Sequence, residues 1–106
     1  MTTFLDQSQR IGTNRGNARV CLWNRALADA GFAIGTPISI TASRGGVTIV
    51  PDPASKRRVS RVTNHGNELP VIDLKTTRSL DLSIVGEPGD TVRVVVTTDR
   101  IRITPA

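Results

Sequence analysis

Arginine is the residue type in this sequence with the clearest capacity for chemistry. Twelve of the 14 basic side chains are arginine, and the formal net charge is +5 with a pI near 11.0. The planar guanidinium donates in pairs to phosphate oxygens and to guanine edges, so an excess of arginine points to a nucleic-acid partner. The candidate contacts are the following basic residues of the first half and the middle of the chain: Arg10, Arg15, Arg19, Arg25, Lys56, Arg57, Arg58 and Arg61.

These cations are unevenly distributed along the chain. Residues 1–61 contain nine basic and three acidic side chains, whereas residues 62–106 contain five and six. The densest basic group, residues 56–61, directly follows a proline-rich connection at 51–53. Such runs are more often solvated linkers than specific sites. Its position beside the next strand nevertheless favours a binding role, and the sequence predicts a basic surface in the first half and the linker.

His65 is the single histidine, and Glu68 follows it by three positions. A histidine and a carboxylate across a turn could serve as acid and base in RNA cleavage, which is the main enzyme alternative. A histidine at a turn tip is usually a surface residue, and His65 also counts as a candidate nucleic-acid contact. The sequence has no phosphate-loop or serine-nucleophile motif, and its lone cysteine and histidine cannot build a zinc site. We therefore expect no cofactor, no metal and no catalytic residue.

An internal repeat organises the chain. The peptide TNRGN at 13–17 recurs as TNHGN at 63–67, an offset of 50, and the pattern of glycine, strand and proline at 35–51 recurs at 89–105, an offset of 54. His65 thereby takes the turn position of Arg15. The repeat predicts one domain built from two copies, 9–51 and 57–105. The flanking segments are a flexible N-terminus at 1–8 and a linker at 52–56.

Strands must position these side chains. Thr, Val and Ile supply 33 residues, and β-branched residues favour strands. Each copy is predicted as a hairpin, a short helix and a second hairpin; Asn24 caps the first helix, and a counterpart lies near 76–84. The turn of the second hairpin is predicted at 43–46 in the first copy. Two interleaved copies could close one barrel and hide their strand edges. Trp23 and Cys21 are expected to be packing residues, which disfavours a base-stacking, single-strand binder.

The first copy contains the motif L-x4-L-x2-A-G-F-x2-G-T-P-I-x-I between Leu22 and Ile40. This motif and the order of elements resemble the AbrB-type swapped-hairpin DNA-binding family, in particular its SymE-like branch, over about thirty residues. The resemblance implies a mainly β fold in which two tandem β-β-α-β-β repeats exchange hairpins in one pseudo-two-fold barrel. It also implies that basic residues of the first hairpin and helix contact DNA, and Arg10, Arg15 and Arg19 match best. The SymE-like branch implies an association with toxin–antitoxin systems and with RNA.

The sequence thus favours non-catalytic binding of double-stranded DNA by a transcriptional regulator or nucleoid-type factor. The alternatives are a SymE-like toxin acting on RNA and a protein-docking accessory module. No apolar stretch approaches the roughly 20 residues that span a bilayer, and the polar N-terminus lacks the apolar segment of a secretory signal. We expect a cytoplasmic, nucleoid-associated protein without a membrane partner, either a monomer with internal pseudo-symmetry or a homodimer.

Overall fold

Two antiparallel sheets make up the fold. The computed structural model describes residues 2–43, 45–78 and 80–106, and within these ranges nine strands are present. In chain order they are β1 (Thr3–Arg10), β2 (Gly12–Asn14), β3 (Asn17–Trp23), β4 (Ile38–Ser43), β5 (Gly46–Pro51), β6 (Ser60–Asn64), β7 (Asn67–Lys75), β8 (Thr91–Thr97) and β9 (Arg100–Pro105). One short helix, α1 (Ala26–Asp29), and a 3-10 helix, Leu82–Ile84, lie between strands. The prediction of a mainly β protein is confirmed.

The first sheet has the order β2-β3-β7-β6, with β3 and β7 paired at its centre. Val20 pairs with Leu74 and Leu22 with Ile72, and all four side chains are buried. Each outer strand is joined to its central neighbour by a hairpin. Because β3 and β7 are antiparallel, the two hairpin turns lie at opposite ends of the sheet.

The two hairpin turns have the same backbone conformation. Arg15 and Gly16 have φ angles of 53° and 83°, and His65 and Gly66 have 51° and 79°. Positive φ at both central residues defines the type I′ turn, whose twist matches that of the flanking strands. The turns predicted from the repeated peptide are therefore present in both hairpins.

The second sheet has the order β1-β8-β9-β5-β4. At its centre, Val47 pairs with Ile103 and Ile49 with Ile101. At its edge, β1 pairs with β8 from Thr3 to Arg10. The N-terminus was predicted to be flexible at 1–8, but residues 3–8 belong to this strand. The hydrogen-bonding partner that orders them lies some 90 residues away, so no local pattern revealed it.

A shared aliphatic core separates the two sheets. Strand residues alternate between buried and outward positions, as the period of two requires. The buried side chains form one cluster that includes residues of both sheets, among them Val20, Leu74, Ile49, Val94 and Ile103. A closed barrel was expected, but the described residues form two separate sheets. The barrel prediction was wrong because the hydrophobic faces are covered by packing the sheets against each other.

The helical predictions hold only for the first copy. The N-cap of α1 is Arg25 rather than the predicted Asn24. Asn24 Oδ1 nevertheless accepts a hydrogen bond of 2.8 Å from the backbone N–H of Ala26, so Asn24 stabilises the start of the helix. The helix predicted near 76–84 is reduced to the 3-10 helix Leu82–Ile84, where Asp81 accepts from the N–H of Ser83 at 2.9 Å. Residue 79 of that segment, residue 44 of the turn predicted at 43–46, and residue 1 lie outside the described residues. In the described part of the chain, no helix is long and apolar enough to cross a membrane.

Two buried residues, Ile11 and Val59, link the N-terminal and C-terminal parts of the chain through backbone hydrogen bonds. Ile11 donates from its N–H to the carbonyl of Asp90 and accepts from the N–H of Gly89, both at 2.9 Å. Val59 donates to the carbonyl of Thr36 and accepts from the N–H of Gly35, also both at 2.9 Å. Each residue follows or precedes a strand of its own part and bonds to a loop of the other part.

Candidate nucleic-acid interface

The outer side of the four-stranded sheet carries a paired arginine and aspartate. Arg19 on β3 donates from Nε to Oδ1 of Asp73 at 2.9 Å and from Nη2 to Oδ2 at 2.8 Å. Lys75, on the same strand as Asp73, brings Nζ to 3.7 Å from Oδ2. One carboxylate therefore serves two cations, and Arg19 keeps three further N–H groups for a ligand.

The ionisation of these groups follows from their contacts. The hydrogen bond from Arg19 holds the pKa of Asp73 below its usual value, and the nearby charges of Arg19 and Lys75 act in the same direction. The same hydrogen bond raises the pKa of Arg19. Cys21 lies on β3 between Arg19 and Trp23. Burial, and then the charge of Asp73, raise the pKa of its thiol. The pair is thus charged at neutral pH and the thiol is protonated.

Two other cations reach this end of the sheet from separate parts of the chain. Arg10, at the end of β1, lines a groove of about 370 Å³ together with Arg19. Arg57 donates from Nη2 to the backbone carbonyl of Asp73 at 2.6 Å, on the edge of β7 that β6 does not cover. The exposed hairpin tip nearest to this end is that of Arg15. We call the whole group the basic end; it consists of Arg10, Arg15, Arg19, Arg57 and Lys75.

The structure separates His65 from the basic end. His65 occupies the tip of the other hairpin, at the opposite end of the sheet. Glu68, its proposed partner in catalysis, is paired with Arg61 at 3.4 Å, and in the described part of the chain no ion pair joins Glu68 to His65. The arrangement leaves His65 as an exposed turn residue.

The remaining predicted contacts are dispersed. Arg58 donates to the backbone carbonyl of Gly35 at 3.0 Å and so joins the segment before β6 to the loop before β4. Arg25 is exposed just before α1, and Lys56 is exposed in the linker. These residues, with Arg61, do not belong to the basic end.

Trp23 is an outward residue, contrary to the expectation that it packs in the core. Its side chain is 53% exposed, and it pairs with Val71 on β7. A groove of about 420 Å³ runs past Trp23 and Val71 and is also lined by Arg19 and Arg61. The prediction was wrong because the alternation on β3 buries Val20 and Leu22, while among the described residues no layer covers the opposite side of the strand.

Sequence reasoning missed Lys75 and three arginines of the last two strands. Lys75 belongs to the basic end because β7 pairs with β3, which the repeat alone did not establish. Arg93, Arg100 and Arg102 lie together on the outer side of the five-stranded sheet. Their alternation with buried residues was visible in the sequence, but the negative net charge of residues 62–106 concealed the cluster.

Comparison of the chain with protein-family models, with curated proteins and with solved structures finds no match. In the described ranges, no group of three or more His, Cys, Asp or Glu side chains is placed to hold a metal ion. The charges and geometry of the surface are therefore the features that indicate a function.

Proposed function

We propose that the chain binds double-stranded DNA without catalysis through its basic end, as a transcriptional regulator or nucleoid-type factor. The observation that carries the proposal is the convergence of Arg10, Arg19, Arg57 and Lys75 from separate parts of the sequence. Neutralising phosphates releases condensed counterions from DNA, so a cluster of cations provides sequence-independent affinity.

The first hairpin supplies a geometry suited to a duplex. The major groove, about 12 Å wide, admits a two-stranded ribbon. In the β2–β3 ribbon, the type I′ turn makes Arg15 the outermost residue, from where its guanidinium can reach a guanine edge. Arg10, Arg19 and Lys75 then contact the flanking phosphates.

We also infer that the chain consists of two swapped halves related by a pseudo-two-fold axis, as the resemblance to the AbrB-type family implies. Three observations support this inference. The two hairpin turns match; the central strands of each sheet come from different halves; and the hydrogen bonds of Ile11 are repeated by Val59. The halves differ at the tips of their first hairpins, where one has Arg15 and the other His65. The proposed DNA contact therefore involves the hairpin of the first half only.

Matched substitutions at the two tips test the proposal. Asn suits the first position of a type I′ turn, so Arg15→Asn and His65→Asn both preserve the hairpin. In gel shifts of a duplex, we expect Arg15→Asn to weaken binding on the order of tenfold through the lost base contact and to leave the salt slope, which counts phosphate contacts, at its wild-type value. We expect His65→Asn to retain wild-type affinity. Equal affinities of both variants and the wild type would remove the basic end as the site.

A second candidate function, binding of unpaired DNA or RNA, is favoured by the exposed side chain of Trp23. Bases stack on aromatic side chains regardless of sequence, and neighbouring arginines hold the phosphates. Arg19 and Arg61 line the groove beside Trp23. Competition between a duplex and a single strand of equal length decides between the candidates.

A further inference from the structure

Three arginines on β8 and β9 form a second cationic surface. Arg93, Arg100 and Arg102 line a groove of about 320 Å³ with Thr97 and Thr104. We call these five residues the second basic face. The groove is lined by no carboxylate in the described part of the chain, and its remaining lining residue is Val95.

Strand pairing fixes the arrangement of this face. Arg93 pairs with Thr104, and Thr97 pairs with Arg100 across the β8–β9 hairpin. The intervening residues, such as Val94 and Ile103, are completely buried. Each arginine on these two strands therefore points away from the core, beside a threonine hydroxyl that can also donate to a phosphate oxygen.

The contacts of the arginines leave much of their hydrogen-bonding capacity free. Arg102 donates from Nη1 to Oγ1 of Thr48 at 2.6 Å, which positions it over β5. Arg93 donates to both carboxylate oxygens of Asp6, at 3.0 and 2.6 Å. Arg100 is exposed, and in the described residues no ion pair engages it. The face keeps a net positive charge after Asp6 is counted.

The acidic residues of the second half lie elsewhere. The carboxylate of Asp90 accepts from the N–H of Glu87 at 2.9 Å, and that of Asp81 caps the 3-10 helix. The Asp99 carboxylate lies against the backbone of Gly31. The negative net charge of residues 62–106 thus comes from side chains outside the groove, and it does not cancel the charge of the face.

The main contacts of the two surfaces lie on the outer sides of different sheets. Arg10 and Arg93 bring the surfaces near each other on the five-stranded sheet, since Ser8, two residues before Arg10, pairs with Arg93. Thr97, the pairing partner of Arg100, is at the other end of β8. The outward residues of the four-stranded sheet include Arg19, and those of the five-stranded sheet include Arg100; the shared core lies between the sheets. The body is 26 Å across in its smallest dimension. Duplex DNA has a persistence length of about 150 bp, so one duplex does not bend around so small a body without a large cost. A duplex bound at the basic end leaves Arg100 and Arg102 of the second basic face accessible.

We propose that the second basic face binds the phosphate backbone of a second DNA duplex, so that one molecule bridges two duplexes. This inference rests on the proposed function, because the first duplex must bind at the basic end. Arg100 and Arg102 provide the main contacts, and Arg93, held by Asp6, extends the positive surface along β8.

A capture experiment tests bridging. One duplex is attached to beads, a second labelled duplex is added with or without the protein, and the retained label is measured at low salt. We expect the wild type to retain the labelled duplex, and Arg100→Gln/Arg102→Gln to lower retention on the order of tenfold or more. Arg25→Gln, which removes one exposed charge beyond the end of β3 that is opposite the basic end, is the control and retains wild-type capture. Arg100→Gln alone, at an exposed side chain, gives a smaller loss without removing the Thr48 contact.

Gel shifts of a single duplex with the same proteins separate the outcomes. We expect the double variant to shift a single duplex as the wild type does, and light scattering to give it the same mass as the wild type. Full capture by the double variant, or no capture by a wild type that still shifts a single duplex, would overturn bridging. A weaker shift by the double variant would join this face to the first site and also overturn it. Failure of the wild type to shift any duplex would overturn the proposed function itself.

Discussion

Arg19 and Asp73 join the two central strands of the four-stranded sheet through two hydrogen bonds, of 2.9 and 2.8 Å. The two residues are 54 positions apart in sequence and come from opposite halves of the chain. Asp73 orients the guanidinium without using all of its donors, so the carboxylate holds Arg19 in place at the basic end. The pair links the stability of the fold to the geometry of the proposed site.

Acid should weaken the fold through this pair. Because the pKa of Asp73 is lowered below 3.8 in the folded chain, chiefly by the hydrogen bond from Arg19, its contribution is present above that pH. The contribution is lost as the pH falls through the lower folded pKa. We expect the free energy of unfolding, measured with urea between about pH 5 and pH 2, to fall more steeply for the wild type than for Asp73→Asn. The contacts of Asp6 and Asp81 lower their pKa values too, so the variant keeps some pH dependence. Parallel curves for the two proteins would contradict the role of Asp73.

A methyl group should destabilise the fold at one strand glycine and be tolerated at another. A Cβ at Gly46 would collide with the backbone carbonyl oxygen of Ile103 and lie 3.2 Å from Cζ of Arg102. We expect Gly46→Ala to destabilise the fold by about 1–3 kcal/mol, because β9 must move. At Gly12 the nearest atom would be the Arg19 carbonyl oxygen at 3.7 Å, an ordinary contact, so Gly12→Ala is the control. Thermal unfolding of both variants measures the difference, and equal midpoints would refute the steric explanation.

The rate at which the Cys21 thiol is alkylated can report whether DNA covers the proposed site. Cys21 lines the grooves on both sides of β3, and burial raises the pKa of its thiol. At pH 8 we expect an alkylating reagent to modify the folded chain more slowly than the unfolded chain, since the thiolate is the reactive form. Duplex DNA should slow the reaction further, and high salt should reverse this protection. In Arg15→Asn the protection should require more DNA; protection that is independent of salt would argue against binding at the basic end.

Trp23 can report on the kind of nucleic acid bound. It is the single tryptophan and the chain has no tyrosine, so fluorescence excited on the long-wavelength side of the tryptophan absorption band comes from this residue alone. If unpaired bases stack on it, an oligothymidine should quench its emission, and Trp23→Ala should weaken oligothymidine binding by about 1–3 kcal/mol per stacked base. If the duplex is the ligand, Trp23→Ala should leave duplex affinity within about twofold of wild type. Loss of duplex binding in this variant would show that Trp23 belongs to the duplex site.

Much of the local structure was predictable because it depends on neighbouring residues. The Asn-Arg-Gly-Asn and Asn-His-Gly-Asn turns, the hydrogen bond of Asn24 at the start of α1 and the alternation of Val47 with Ile49 all follow from short-range chemistry. Strand β1 was missed because its order comes from pairing with β8, at the far end of the chain.

The candidate site was predictable only in part, and for the same reason. Arg10, Arg15 and Arg19 lie near one another in sequence, and the structure keeps them at one end of the sheet. Lys75 joins them through the pairing of β3 with β7. The exposure of Trp23 depended on which side of β3 has a covering layer, and no property of the strand itself decides that.

The strand pairs β1–β8, β3–β7 and β5–β9 each join one residue range before the linker to one after it. Neither range can assemble a complete sheet by itself, so the chain should melt in one all-or-none step with no partly folded species. A backbone cut between Pro53 and Ala54 would leave two fragments, each disordered alone, that recover the native sheets when mixed. The linker therefore acts by raising the local concentration of one fragment around the other, and the contacts between the fragments specify the fold.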